Sequence, residues 1–142
     1  MAPTNPILDL DQPRDRRIDE LLRKTIIIWL STLRPDGRPH LVPVWFLWEN
    51  STIYIFSKPD VKIANLKHDK RVSLGIANER GGDVVLLEGE ATLLDPSEMT
   101  TAYAPYAEKY ADLLNSYGWT GESMSKEYSQ PIRVEITRIL GR

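Results

Sequence analysis

Residues 25–48 read TIIIWLSTLRPDGRPHLVPVWFLW, and the prediction of the fold starts from this segment. Thr25–Leu33 is β-branched and apolar on both faces, which is typical of a strand covered on both sides. Arg34–Gly37 predicts a tight turn, because proline presets φ at the second position and glycine tolerates the left-handed exit. His40–Trp48 predicts the next strand. The segment therefore predicts two neighbouring antiparallel strands that have few polar side chains to face solvent.

The rest of the chain adds strands that turns connect, with short helices between them. A charged segment with apolar residues at helical spacing predicts a helix over Pro13–Lys24. Asp60 is the predicted N-cap of a second helix, and Asp95-Pro96-Ser97-Glu98 has the pattern that opens a third. We expect a mainly β (α+β) fold, a six-stranded antiparallel barrel with short flanking helices. The other four strands are predicted at 52–57, 72–77, 84–94, with a bulge at Gly89, and 132–137.

The composition bounds the class of protein. The 142 residues are enough for one domain, which we place at 13–142 behind a proline-containing arm at 1–12. The net charge of −2 argues against a dedicated nucleic-acid binder. The chain has no cysteine, so disulfides and thiolate metal sites are excluded. The apolar runs are too short for a membrane span and the start lacks a secretory pattern, so we expect a cytoplasmic protein.

The sequence offers little catalytic chemistry of its own. Its two histidines, His40 and His68, have no second ligand at helical spacing, so we predict no metal site. The glycine-rich phosphate loops and the nucleophile elbow are absent. We assign no catalytic residue. If the protein is an enzyme, a bound cofactor carries the chemistry.

The segment Ser57–Leu66 is the best candidate for binding an anion. A strand ends in a hydroxyl, the chain turns at Pro59, and a helix begins whose free amides and dipole favour negative charge. Lys62 lies one turn into that helix and Lys58 flanks it. Between positions 58 and 71 basic residues exceed acidic ones by three, five against two. A solvated basic helix face explains the same residues equally well, so both interpretations stay open.

A second candidate surface surrounds Pro43. Proline inside a strand removes one backbone donor, so the strand is locally an edge or a bulge there and its neighbouring backbone groups are free for a flat heterocycle. Trp45 or Phe46 then supplies a stacking wall. The alternative is that both aromatic rings belong to an interface between subunits. Strands that are apolar on both faces, together with Trp45 and Trp48, predict a homodimer.

Taken together, these residues resemble the pyridoxamine 5′-phosphate oxidase-like split β-barrel superfamily, whose fold binds FMN. Within it the chain is most similar to the branch of probable coenzyme F420-dependent oxidoreductases. The resemblance covers most of the chain. It is carried by the segments at 29–33, 36–39, 42–48, 57–66, 71–74, 81–83, 88–89 and 109–110.

The resemblance implies a homodimer with two clefts, each of which binds a flavin or a deazaflavin. It implies that the cofactor phosphate lies on one segment, formed by Ser57, Lys58, Lys62 and Asn65. The ring then lies on another, formed by Pro43, Val44 and Trp45, with Ser31 and Thr32 on the neighbouring strand.

Members of this branch transfer a hydride from reduced F420 to an unsaturated or quinone-like small molecule. Such chemistry mainly needs positioning, which agrees with the missing acid–base groups. Two alternatives remain. One is an FMN-dependent, pyridoxamine 5′-phosphate oxidase-like oxidoreductase, and the other is a barrel that binds flavin or haem without catalysis.

Overall fold

A computed structural model describes residues 6–78 and 80–141. The first five residues of the predicted arm, with Glu79 and Arg142, lie outside the described residues. In the described part seven antiparallel strands form one sheet, in the order β2-β1-β5-β6-β7-β4-β3. The strands are β1 (Ile27–Leu33), β2 (Pro39–Trp45), β3 (Leu47–Glu49), β4 (Thr52–Ser57), β5 (Arg71–Ala77), β6 (Val84–Leu93) and β7 (Gln130–Gly141). The helices are α1 (Pro13–Lys24), α2 (Val61–His68), α3 (Ala104–Lys109), α4 (Ala111–Ser116) and α5 (Gly121–Met124).

The predicted mainly β fold is confirmed, with one strand more than the six expected. The predicted strand His40–Trp48 breaks at Phe46 into β2 and β3. These two strands are consecutive in the chain but form opposite edges of the sheet. The sheet therefore curls into a half-barrel, and the chain crosses the open side at Phe46. A single apolar run serves both edges, which is why it looks like one strand in the sequence.

The crossing at Phe46 is held by side chains, because its backbone belongs to neither edge strand. Its amide donates to the Tyr110 hydroxyl at 2.7 Å, and its carbonyl accepts from Lys109 Nζ at 2.8 Å. The Tyr110 hydroxyl also lies 2.7 Å from the Ile26 carbonyl. Because Lys109 already donates to the Phe46 carbonyl, the single hydroxyl hydrogen of Tyr110 is free to be donated to the Ile26 carbonyl. The C-terminal end of α3 thus fastens the two halves of the predicted strand.

The core has two parts. The larger one fills the concave side of the sheet beneath α1 and α2. The smaller one packs α3, α4 and α5 against Leu47 and Phe56. The predicted helix start at Asp95 is wrong: that segment is a turn, the helix begins at Ala104, and it breaks at Tyr110. No helix in the described ranges combines the length and apolar character that a membrane crossing needs.

The predicted bulge at Gly89 is confirmed. The pairing of β6 with β7 shifts register between Glu88 and Gly89. A Cβ built on Gly89 would collide with the backbone oxygen of Glu135 and lie 3.0 Å from Val134. Only glycine allows this close approach of the two strands. The bulge adds to the bend that closes the half-barrel.

The outer face of the sheet carries exposed apolar side chains in one row. Trp29 of β1 is 49% exposed, as is Leu86 of β6, and Leu140 of β7 is 47% exposed. Gly75 of β5 pairs with both Trp29 and Leu86, and Leu86 pairs with Leu140. Trp48, which we expected at an association surface, is buried instead, and its indole donates to Asp19 at 2.9 Å.

Candidate functional site

One cleft of about 760 Å³ opens between the edge strand β2, the start of α2 and the helical layer. Six of the nine predicted cofactor-binding residues line it: Pro43, Val44, Trp45, Ser57, Lys58 and Lys62. Its other walls come from Ile27, Val42, Phe56, Asp60, Tyr106, Tyr117, Trp119, Met124 and Tyr128. The structure thus brings the two candidate surfaces of the sequence, around Pro43 and around Lys62, into one site.

The turn between β4 and α2 forms the charged part of the cleft. Asp60 is the N-cap of α2, as predicted, and accepts from the Lys62 amide at 3.1 Å. The Lys62 ammonium lies 2.6 Å from the other oxygen of the same carboxylate, and its side chain is only 12% exposed. Ser57 is buried and donates to the Lys58 carbonyl at 2.6 Å. The turn therefore fixes the position of the Lys62 ammonium, and the Asp60 carboxylate balances its charge.

Lys58 is held more loosely at the same end. Its ammonium lies 3.6 Å from Glu127 and 5.3 Å from the centre of the Tyr128 ring. Both charged side chains are about half exposed, so the pair contributes little to stability. Lys58 therefore remains available to a ligand at little cost in folding free energy.

Aromatic rings form the opposite wall. The Trp45 ring stacks on Tyr110 with parallel planes and centroids 4.4 Å apart. Phe46 is fully buried, so it is not the stacking wall that we considered as an alternative to Trp45. β2 is an edge strand, and alternate backbone groups on such a strand point away from the sheet. Pro43, which lacks an amide hydrogen, fits this position because no neighbouring strand needs that donor.

The last helices supply a side of the cleft that no pattern in the sequence predicted. Trp119 lies between Tyr117 and Tyr128, with ring centroids 6.3 and 6.2 Å away. Residues 118–130 form a mostly polar stretch of the sequence, yet α5 lies within it and begins with a capping box at Thr120. The available signal was the density of aromatic residues on both sides of that helix.

Tyr106 supplies the deepest aromatic group of this wall. Its ring contacts Phe56 edge-on, with centroids 4.8 Å apart. Its buried hydroxyl has no hydrogen-bond partner in the described structure. Burial raises the pKa of this hydroxyl well above its usual range, so it stays protonated and can only serve as a neutral donor or acceptor. The hydroxyl is sealed from solvent, so it lies behind the surface of the cleft.

The remaining three predicted residues lie outside the cleft. Thr32 and Asn65 are buried, and the Asn65 amide donates to the Thr32 hydroxyl at 2.9 Å. This bond ties α2 to β1 and so fixes the helix that carries Lys62. Ser31 lines a separate hollow of about 470 Å³ on the outer face, beside Ser73 and Arg71. Among the described residues no group of three or more histidine and acidic side chains is placed to hold a metal.

Comparison with known proteins adds a family and a fold. The family model described as Pyridoxamine 5′-phosphate oxidase matches residues 15–141. A solved structure named F420 reductase is 20% identical, with a TM-score of 0.64 over 86% of this chain and 94% of its own. A FAD-binding protein from Mesorhizobium loti is 19% identical, with a TM-score of 0.64 over 89% and 90%.

The haem storage protein HutZ from Vibrio cholerae also has this fold, at 13% identity, with a TM-score of 0.66 over 91% of this chain and 94% of its own. The comparison with curated proteins found no match. Identities this low show a shared fold, and the printed functions belong to those proteins.

Proposed function

This chain belongs to the pyridoxamine 5′-phosphate oxidase family, and from that premise we propose that it is an oxidoreductase that uses coenzyme F420. In this proposal it transfers a hydride from the reduced deazaflavin to an unsaturated or quinone-like small molecule. One observation carries the proposal: a single cleft combines lysines at a helix start with an edge strand and stacked aromatic rings. The likeness of fold to a protein named F420 reductase supports it.

In the proposed complex the cofactor phosphate lies at the start of α2. Lys62 gives it a charge-assisted hydrogen bond and Lys58 adds a second positive charge. The Ser57 hydroxyl reaches the phosphate by turning away from the Lys58 carbonyl. The dipole of the eight-residue helix favours the same charge. Thr32 and Asn65 position this helix through their buried hydrogen bond instead of contacting the phosphate. Asp60 opposes the anion, so it tunes the strength of the site.

The ring system would lie along β2. The free backbone groups of the edge strand at and beside Pro43 suit the polar rim of a flat heterocycle, and Val44 contributes its place in the cleft lining. Trp45 is held rigidly by its stack on Tyr110, so the wall of the cleft is formed before any ligand binds.

When bound, F420 supplies the hydride, and the protein supplies position and exclusion of water. The aromatic side of the cleft, formed by Tyr117, Trp119 and Tyr128, presents flat apolar surface to an acceptor. A planar unsaturated molecule stacks well against such rings. We assign no acid–base residue to the transfer, and the acceptor class stays a prediction.

FMN is the second candidate cofactor. FMN and F420 share a tricyclic ring and a ribityl phosphate, so the anchor at α2 accepts both. Haem fits the described residues less well, because its iron usually takes an axial ligand such as histidine. Neither His40 nor His68 lines the cleft. The other alternative is a protein that binds its cofactor without catalysis, and only an assay of turnover distinguishes it from an enzyme.

We also propose that the protein is a homodimer through the exposed row of Trp29, Leu86 and Leu140. Monomers seldom leave a continuous apolar row on one sheet face, and a second copy of this face would cover it. Ile27 and Pro43 belong to the cleft and adjoin this face through β1 and β2, so the second copy would border the cleft. Sedimentation should give a dimer for the native chain and a monomer for Leu86→Lys. The predicted cytoplasmic location stays a prediction.

A parallel fluorescence titration with oxidised F420 and with FMN tests the cofactor. Saturable binding of F420 with weak binding of FMN supports the proposal, and turnover is then tested with quinones and enones. The reverse preference assigns the protein to the FMN-dependent alternative. Binding of neither cofactor contradicts both proposals of an enzyme.

A further inference from the structure

Lys109 is a partly buried lysine that the proposed function does not use. Its ammonium donates to the Phe46 carbonyl at 2.8 Å and lies 3.7 Å from the centre of the Phe46 ring. Within residues 6–78 and 80–141, no carboxylate oxygen lies within 4.0 Å of it. A lysine in this condition lacks the ion pair that normally stabilises a buried ammonium.

Lys109 is reached from a second cleft, which has a volume of about 820 Å³ and shares no lining residue with the first. This cleft opens between the end of α1, β3 and α3. Arg23 and Lys24 lie on its α1 side, and Glu49 and Glu108 lie on the β3 and α3 sides. Apart from Lys109, the lining has two cations and two carboxylates, and the two cations lie together on the α1 side, so a small anion is favoured there.

The charge state of Lys109 follows from this position. Burial lowers its pKa to about 8, against an ordinary value of 10.5. The neutral amine is the nucleophilic form of lysine, so this side chain is reactive at a pH where exposed lysines are almost fully protonated.

We propose that Lys109 is an acylation site, whose amine takes an acyl group from a small acyl phosphate that enters the second cleft. The nitrogen attacks the acyl carbonyl carbon and a C–N bond forms. The bond from that carbon to the phosphate oxygen breaks, phosphate leaves, and the amine proton passes to solvent. Arg23 and Lys24 attract the anionic donor, and Glu49 and Glu108 limit that attraction.

Acylation would alter the crossing between β2 and β3. A neutral amide replaces the ammonium, so the charge over the Phe46 ring is lost and the added acyl group needs space. Phe46 directly follows Trp45, which forms the wall of the first cleft. Modification at one cleft therefore reaches the other through two adjacent residues.

The test treats the native protein with acetyl phosphate and follows each lysine by peptide mass spectrometry. At about pH 7 we expect Lys109 to be acetylated several-fold faster than exposed Lys67, with the advantage shrinking at about pH 10, where Lys67 also loses its proton. A rate for Lys109 at or below that of Lys67, or an advantage unchanged at the higher pH, overturns the proposal.

A variant tests the anionic donor. Lys24 lines the second cleft and is exposed, so Lys24→Gln should leave the fold intact. We expect it to slow acetylation of Lys109 by acetyl phosphate but not by an uncharged acetyl ester, with Lys67 as the internal control. Equal rates in the variant and the native protein with acetyl phosphate would contradict the role of the cleft. Neither result depends on F420, so a failure of the acylation proposal is distinguishable from a failure of the proposed function.

Discussion

The ammonium of Lys62 lies 2.6 Å from a carboxylate oxygen of Asp60, two residues earlier in the chain. The other oxygen of that carboxylate caps α2 at the Lys62 amide. One side chain therefore fixes both the start of the helix and the cation that we propose for the phosphate. An arriving anion meets positive and negative charge at the same place.

Asp60→Asn separates these two roles. Asparagine is an equally good N-cap, so the helix keeps its start while the opposing charge disappears. We expect several-fold tighter binding of a phosphate-bearing cofactor, with little change in the thermal midpoint, measured by titration and calorimetry. Weaker binding would show that Asp60 positions Lys62 and does not compete with the ligand.

Tyr110→Phe tests the hydrogen bonds that the Tyr110 hydroxyl makes at the crossing between β2 and β3. The change leaves the Phe46 amide and the Ile26 carbonyl without their buried partner. We expect a loss of about 2–4 kcal/mol in the free energy of unfolding, from two unsatisfied groups. Tyr117→Phe is the matched control, because Tyr117 is exposed and its change should cost little. Equal stability of the two variants would show that the Tyr110 hydroxyl does not stabilise the crossing.

Gly89→Ala tests the bulge between β6 and β7. The added methyl group meets the Glu135 backbone, which has no room to move without breaking the strand pair. Overpacking of this kind costs about 1–3 kcal/mol or more, measured by denaturant unfolding. Gly82→Ala is the control, because its nearest neighbour lies 3.8 Å from the new Cβ. A neutral Gly89→Ala would mean that the strands part easily here.

The lowered pKa of Lys109 predicts a pH dependence of stability. Between about pH 8 and the ordinary value of 10.5, the unfolded chain holds a proton on this lysine that the folded chain has released. Unfolding therefore takes up a proton, and the native protein gains stability as the pH rises through this window. Measured against Lys109→Met, which has no titrating group, the difference should grow with pH. A constant difference would place the pKa of Lys109 at its ordinary value.

Local patterns in the sequence predicted much of the fold. The boundaries of α1, the N-cap at Asp60 and the bulge at Gly89 are all confirmed, because each depends on residues close together in the chain. The break at Phe46 was not predicted. It exists because the two ends of one apolar run pair with opposite edges of the sheet, which is a property of the closed half-barrel.

The candidate site was predicted in part for the same reason. Spacing placed Lys62 at a helix start, but the conformation that pairs it with Asp60 depends on side-chain geometry. Trp119 and Tyr128 reach the cleft because of how α5 packs. Such tertiary packing produces no hydrophobic periodicity in the sequence. The burial of Thr32 against Asn65 follows from the contact between β1 and α2, so the sequence did not separate positioning residues from ligand contacts.

Our proposal of a cofactor site depends on phosphate binding by Lys62 in the cleft beside α2. Titration of Lys62→Ala with oxidised F420, beside Lys67→Ala on the same helix but outside the cleft, tests it most directly. We expect Lys62→Ala to weaken binding by about 1.5–3 kcal/mol, the scale of a hydrogen bond to a charged group, while the thermal midpoint stays near that of the native protein. Lys67→Ala should bind as the native protein does. Unchanged affinity of Lys62→Ala, or an equal loss in both variants, would contradict the account.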